Sequence, residues 1–409
     1  MVGVENKINF NWMVMKKRVL SLMIWGMLFY AGCSSSVRED AGDAIRISTR
    51  NCMIKENMKS SEYLRRVKYV PLETDSVCIL GNIDKIKYKD GILFINDREN
   101  GMYAFDTTGH FLNRIGAKGR GPEEYLTATA FYIDPEKKHV VVVDGGNYRA
   151  LAYSFDGQFV GAEAIGKAAA FQVQDLECQD GHLLLNYRLP FAYKKQLYAY
   201  EVYDTNWLLL DTFSLYAPYL KAGGASMTYA SAPMVKTDEG ILFITPFSDL
   251  VYEFAGDSIR VKYQVETLKP LVTDQQLSLM GKTYFDIREK LADGNYTSGI
   301  RGIVQAGKYC IWDIHCNQPY TVVWDQEKRK GMYIMDYWDE DFDVYSQGIS
   351  TYLTIAVEDG LLSVLPFLSE ERRKKLIESS KNAALVQVLE ELKEGDNPLL
   401  MFYDLKEIE

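Results

Sequence analysis

The sequence predicts an all-β fold: a six-bladed β-propeller whose N-terminal strand closes the last blade and whose connections carry short helical insertions. Three observations carry this expectation. Between Ile83 and Leu405 one pattern returns about six times: an apolar run, a turn, a second run rich in Tyr and Phe, then an Asp or Gly turn and a return. The copies are spaced by about 41 to 68 residues, which suits a four-stranded blade plus insertions. Each blade also leaves an apolar face that only its neighbours cover, so the repeats close into one ring rather than two or three separate domains.

The fullest copy runs from Asp90-Gly91-Ile92-Leu93-Phe94-Ile95-Asn96-Asp97 through Met102-Tyr103-Ala104-Phe105-Asp106 to Gly109-His110-Phe111-Leu112. Its runs of Ile, Leu, Phe and Tyr punctuated by Asp-Gly are strand and hairpin chemistry. Later copies restart at His139, Asp180, Glu239, Gly307 and Asp359. The ends of the repeat region suit each other. Tyr63 to Leu72 is a strand-like run, Leu399 to Leu405 is another, and pairing them in one blade would latch the ring without a long exposed edge.

Three connections are longer than a turn requires. Tyr216 to Pro233, with Gly223-Gly224 and several Ser and Ala, reads as a loop. Thr273 to Leu291 has a mostly helical apolar spacing before a Gly294-Asn295 turn. Ser369 to Lys393 is helical: Ser369 caps, Glu370 and Glu371 fill the first turn, and Leu376, Ile377, Ala384, Leu385, Val388, Leu389 and Leu392 form one stripe that packs on the propeller itself.

The N-terminus carries a message about address. Lys16-Lys17-Arg18, an apolar run from Val19 to Tyr30 and Ala31-Gly32-Cys33 read as a signal peptide, too short in its apolar part for a lasting span. It resembles a bacterial lipoprotein signal with Cys33 as the lipidated residue, although Tyr30 stands where that pattern has an aliphatic side chain. An uncleaved anchor is the alternative. Met15 alone would begin such a signal, so 1–14 reads as an upstream start. The expected organisation is a signal over 1–32, a tether over 33–59 and the propeller over 60–409. Removing 1–32 takes the formal charge from −10 to −13, which argues against nonspecific nucleic-acid binding and suits solubility beside an anionic surface. Glu39-Asp40 weakly resembles the acidic export signals of Bacteroidota surface lipoproteins; an ordinary charged tether is the plainer reading.

The most specific internal motif is Ile115-Gly116-Ala117-Lys118-Gly119-Arg120-Gly121-Pro122-Glu123-Glu124-Tyr125. Its glycines exclude a helix or strand interior, and Pro122 fixes the exit. Here the chain resembles the six-bladed β-propeller family of Bacteroidota lipoproteins, relatives in shape of NHL-type propellers. Gly116, Gly119, Gly121, Pro122, Glu124 and Tyr125 match that family's Gly-x-x-Gly-x-Gly-Pro-x-Glu-Tyr loop, and Asn397-Pro398-Leu399-Leu400 is similar to its ending. The resemblance spans Ser60 to Leu405 and implies an outer-membrane lipoprotein, periplasmic or surface-facing. It implies no catalytic residues. A phosphate cradle is not indicated, because no Lys-Ser/Thr and helix follow the glycines.

Composition narrows the chemistry further. Apart from Cys33 there are Cys52, Cys78, Cys178, Cys310 and Cys316, an odd number without short paired spacing, so no disulfide framework is indicated. Cys310, His315 and Cys316 are more simply buried strand residues than metal ligands. His110, His139, His182 and His315 occupy inequivalent repeat positions, and Asp339, Asp341 and Asp343 read as a solvated acidic turn rather than a Ca²⁺ site. No cofactor or resident metal is expected. The leading expectation is a lipid-anchored envelope module that binds a glycan, peptide or partner protein across one face, with no nucleic acid among its partners. Arg120 and Glu123 in the Gly-Pro loop, and Trp338 and Asp339 in the late acidic loop, are the contact candidates, because loop-borne Arg and aromatics suit sugar stacking and protein contacts. Catalysis is left open. The rival readings are a metal-assisted lyase or hydrolase acting in the central channel, and a structural subunit of an outer-membrane assembly.

Overall fold

The computed structural model describes residues 41–408 except 172, 194–195, 214–231, 246, 274, 277–278, 280–290, 292–294, 336–352, 359 and 366. The described chain begins with a 3-10 turn at Ala41–Asp43 and three strands, β1 (Ile45–Ile47), β2 (Cys52–Glu56) and β3 (Leu64–Pro71), the last preceded by a helical turn at Ser60–Tyr63; each strand joins a different sheet. The first blade follows as β4 (Ile83–Lys89), β5 (Ile92–Asp97), β6 (Gly101–Asp106) and β7 (Phe111–Arg114). The second is β8 (Ala128–Asp134), β9 (His139–Asp144), β10 (Arg149–Ser154) and β11 (Phe159–Ala164). The third is β12 (Val173–Gln179), β13 (His182–Tyr193), β14 (Gln196–Asp204) and β15 (Leu209–Phe213).

Blades four and five each gain an extra strand. β16 (Met234–Lys236), β17 (Ile241–Ile244), β18 (Leu250–Ala255) and β19 (Ser258–Val265) are edged by β1, which runs parallel to β19. β20 (Thr297–Ala306), β21 (Tyr309–Cys316), β22 (Tyr320–Asp325) and β23 (Lys330–Met335) are edged by β2, again in parallel. The expected tether over 33–59 is therefore strand over part of its length. Its pairing runs are too short to stand out in sequence; Ile47 earns its place by complete burial between blades four and five.

Blade six closes the ring as expected: β24 (Thr354–Val357), β25 (Gly360–Val364) and β26 (Leu399–Leu405) are completed by β3. β26 and β3 run antiparallel from Leu399 opposite Pro71 to Leu405 opposite Leu64. Arg65 and Arg66 both pair with Asp404 across this seam. The first and last parts of the propeller are thus one sheet, and neither can leave without opening the ring.

Tight turns recur where the sequence repeats. Asp90 and Gly91 have φ of 50° and 79°, and Asp180 and Gly181 have φ of 48° and 77°, the double left-handed geometry of a two-residue hairpin. The strand after each turn is the most apolar of its blade: Leu93 to Asp97, Val140 to Asp144 and Ile241 to Ile244 are buried throughout, apart from Val141, which is slightly less so. Apolar faces then interlock between neighbouring blades. Leu93 and Tyr103 of blade one share a cluster with Leu362 and Leu400 of blade six, and Tyr263 of blade four packs on Trp312 of blade five with ring centroids 5.4 Å apart. Between blades three and four, Tyr200 lies 4.6 Å from Phe243 and donates its hydroxyl to Ile244 O at 2.6 Å.

The expected helix over 369–393 is two helices, α1 (Glu370–Ser379) and α2 (Ala383–Glu391). Ser369 Oγ accepts from Arg372 N, as its position predicts, but Asn382 Oδ1 accepts from Leu385 N and starts a second cap. Ser380 and Asn382 break the single stripe because their side chains bond the backbone locally. Leu376, Leu385 and Leu389 belong to the blade-six core with Leu64, Tyr69 and Leu399. Most of the expected loop over 216–233 and helix over 273–291 lies outside the described residues.

Candidate functional site

Strand order assigns every connection to one of two faces. The innermost strands β4, β8, β12, β16, β20 and β24 each contact the next around the ring and surround a central channel. Because strands alternate in direction, connections between blades and those after the second strand of a blade share one face, called here the upper face. The upper connections include 72–82, 115–127, 165–172, 214–233, 266–296, 336–353 and 365–398. Among the described residues the lower face has short turns such as 90–91, 180–181, 307–308 and 256–257, together with the helical turn Ser60–Tyr63 that leads into β3. Every long connection therefore leaves and returns on the upper face, which is where a propeller places contacts that differ from its repeats.

The Gly-Pro loop is the best described of these connections. Tyr125 is buried, its hydroxyl accepting from Met102 N at 2.9 Å and donating to Ile115 O at 3.1 Å; burial pushes this phenol up to about 12. Arg149 of blade two donates to Pro122 O at 2.9 Å, to Gly121 O at 3.2 Å and to Glu124 O, while Tyr153 Oη donates to Glu123 O at 2.8 Å. Gly121 N donates to the Glu124 carboxylate at 2.8 Å. Gly116 has a φ of 65°, and a Cβ there would lie 2.5 Å from the Tyr153 ring. The motif thus encodes a rigid joint between blades one and two. It presents outward two side chains that take no part in the joint, those of Arg120 and Glu123, both exposed.

Trp338 and Asp339 lie outside the described residues, as do Asp341 and Asp343, but the strands flanking them, β23 and β24, end and begin on the same upper face as the Gly-Pro loop. Cys33 also lies outside the described residues. The four histidines are dispersed. His110 Nδ1 lies 2.5 Å from Glu73, His182 packs edge-on against Phe254, and His315 Nδ1 lies 2.9 Å from Ser298 Oγ; His139 opens β9. The five described cysteines are free thiols, and burial pushes Cys310 up to about 12. Among the described residues no three His, Cys, Asp or Glu side chains converge as metal ligands.

The channel itself holds chemistry that sequence reading missed. It contains a cavity of about 260 Å³ reached by all six inner strands. One wall, from β4 and β12, is charged. Lys85 Nζ lies 2.6 Å from Asp175 Oδ2, and Lys87 Nζ lies 2.6 Å from Glu177 Oε1 and 3.5 Å from Asp175 Oδ1. Lys87 also donates to Leu176 O at 2.7 Å and sits 5.6 Å from the centroid of the Phe131 ring. Blades one and three are therefore ion-paired to each other across the inner strand of blade two. Burial alone would lower Lys87, but Glu177 and Asp175 more than offset it and raise the ammonium above its ordinary value. Burial would likewise raise Asp175; Lys85, Lys87 and the Leu176 N–H outweigh it and hold the carboxyl below the usual range.

The opposite wall is aliphatic, with Met234, Val304, Leu353 and Ile355 among its lining residues. A readable signal existed for the charged wall: Lys85, Lys87 and Lys89 alternate with Ile86 and Tyr88, and Asp175 and Glu177 flank Leu176, the period of a strand with one charged face. The repeated pattern starts one strand later, so these inner strands lay between its copies.

Comparison with solved structures supports the architecture. The chain is similar to a protein described as exported from Bacteroides fragilis NCTC 9343, with 19% identity and a TM-score of 0.69 over 87% of this chain and 100% of that one. It is similar also to a member of the DUF4221 family from Bacteroides vulgatus, with 9% identity and a TM-score of 0.52 over 84% of this chain and 98% of that one. At these identities the likeness is one of fold. No curated protein matches the sequence. Residues 44–404, all but the ends of the six-bladed ring, match one family throughout, and the chain belongs to it: the family described as Domain of unknown function (DUF4934).

Proposed function

We propose that this propeller is a lipid-anchored module of the cell envelope, tethered through Cys33, that binds a glycan, peptide or envelope protein on its upper face. The observation that carries the reading is the segregation of the long connections to that face, while the connections within blades on the opposite face are short turns among the described residues. Arg120 and Glu123 stand exposed on a joint fixed by Tyr125, Arg149 and Tyr153, so contacts made there would be preorganised rather than ordered on binding. Trp338 and Asp339 belong to another connection of the same face. Supporting the envelope address are the lipoprotein-like sequence from Lys16 to Cys33 and the likeness to a Bacteroides protein described as exported. No helix of the described residues is long and apolar enough to cross a membrane.

Two experiments test this reading. Metabolic labelling with a radioactive fatty acid should mark the wild-type chain and not Cys33→Ala; equal labelling would refute the anchor. A photo-crosslinking side chain placed at Arg120 or Glu123 in living cells should give a discrete adduct absent when it is placed at Lys137 or Asn206 on the lower face. A glycan ligand would instead show on an array as binding lost in Arg120→Ala/Glu123→Ala. Adducts from the lower positions only, or no adduct and no array signal, would sink the assignment of the upper face.

A further inference from the structure

The channel wall has a property that the fold does not require. Propeller rings are held by apolar packing between adjacent blades, and this one has such packing at each junction described above. The ion pairs of Lys85, Lys87, Asp175 and Glu177 do something else: they bring two ammonium groups and two carboxylates to one side of a cavity. Lys87 and Asp175 are 9% and 3% exposed. The remaining charged linings are engaged elsewhere or exposed. Asp84 pairs with Arg98, Lys89 lies 3.1 Å from Asp90, and Lys236 is exposed. The buried wall is thus dipolar and carries no net charge.

A neutral, dipolar wall restricts what the cavity can hold. An ion of one sign would pair with one half of the wall and leave an unbalanced charge against the other, which is costly. A wholly apolar molecule would cover the charged wall without pairing with it. A zwitterion satisfies both conditions, because its carboxylate can face Lys85 and Lys87 while its ammonium faces Asp175 and Glu177, so every charge stays paired. The facing wall of Met234, Val304, Leu353 and Ile355 then asks for an aliphatic or aromatic body on the same molecule. A cavity of about 260 Å³ suits a single amino acid or a dipeptide. Among the described residues Tyr88 is the one aromatic of the lining, which gives a sugar ring little to stack on.

We propose that the central channel is a binding site for a small zwitterion with an apolar side chain, a free apolar amino acid or dipeptide, oriented by the Lys85/Lys87 and Asp175/Glu177 groups. This goes beyond the upper-face reading and does not depend on it, since the channel lies inside the ring and takes a different class of ligand. The same four side chains could instead serve only to tie blade one to blade three. In that case their removal would change stability and nothing else.

The test is calorimetric titration of the full chain, purified in detergent, with leucine, phenylalanine and leucyl-leucine. Leucinamide, N-acetylleucine, glycine and glucose are titrated in parallel. At least one of the apolar zwitterions should bind. Capping either of its termini, or replacing leucine by glycine, should weaken binding by about tenfold or more, as expected for loss of one charged hydrogen-bond set or one apolar body. Lys85→Met/Asp175→Asn, which removes one ion pair together, should abolish binding while a melting curve shows the variant folded. Absence of binding by every zwitterion at millimolar concentration, equal binding of capped forms, tighter binding of glucose, or unchanged binding by the folded double variant would each overturn the proposal. A crosslinked partner at Arg120 with no zwitterion binding would leave the upper-face reading standing and remove this one alone.

Discussion

The Gly-Pro loop and the inner strands of blades one and three make an instructive pair. The loop is the most conspicuous stretch of the sequence, and its conspicuous residues serve the backbone: Gly116 takes a positive φ against Tyr153, Gly121 meets Glu124, and the carbonyls of Gly121 to Glu124 are taken by Arg149 and Tyr153. The inner strands carry no motif, yet they supply the buried charges of the channel. Glycine and proline are conspicuous because they report dihedral constraints. A functional wall needs only particular side chains on an ordinary strand, and an ordinary strand leaves no such mark.

The contrast can be broken by mutation, and the channel should give the largest effect. Asp175→Ala strips the partly buried Lys85 of its carboxylate partner and leaves the buried Lys87 with Glu177 alone, and should cost about 3–5 kcal/mol in denaturant unfolding. A cost below about 1 kcal/mol would mean that water reaches the wall and that it is no special environment. The linked pH dependence has a definite sign. Asp175 is held below its ordinary value, so its contribution is complete above about pH 4 and is lost as pH falls through the lowered folded value. Lys87 is raised, so its share persists through neutrality and is lost only as pH climbs through a value above that of ordinary lysine. The stability difference between wild type and Asp175→Asn should accordingly be flat around neutrality, shrink in acid, and shrink again only in alkali strong enough to deprotonate the lysines.

The loop comes next. Gly116→Ala forces an L residue into a left-handed backbone and drives its Cβ towards the Tyr153 ring, for a cost of about 2–4 kcal/mol. Tyr125→Phe leaves the Met102 N–H and Ile115 carbonyl without their shared partner and should cost about 1–3 kcal/mol by the same measurement. Arg120→Ala and Glu123→Ala should move stability by less than about 0.5 kcal/mol, because both side chains are exposed and outside the joint. That last outcome sharpens the comparison: within one loop, the matching motif positions carry the structure and the variable-looking neighbours are free for contact.

How much was legible follows from the same physics. The six blades were readable because the second strand of each is a solid apolar run behind a tight turn, as at Ile92 to Asp97 and Ile241 to Ile244. The closure of β26 on β3 was readable because two strand-like runs stood without partners at opposite ends of the repeat. β1 was not, since three residues pair with β19 and only Ile47 and the partly buried Ile45 show a reason to be there. The break between α1 and α2 was hidden by an apolar stripe that continues through it. Of the candidate contacts, Arg120 and Glu123 proved exposed as their loop chemistry suggested. Lys87, Asp175 and Glu177 escaped because their blades meet only in three dimensions, far apart along the chain.

The route of the N-terminal chain has a mechanical consequence. It lies first along blade four as β1, then along blade five as β2, and only then completes blade six as β3. A pull applied ahead of Ala41 therefore reaches the three-residue seam of β1 and the five-residue seam of β2 before it loads the strand that shuts the ring. The two added seams would therefore bear such a load in series ahead of the closing seam, in which Arg65 and Arg66 pair with Asp404.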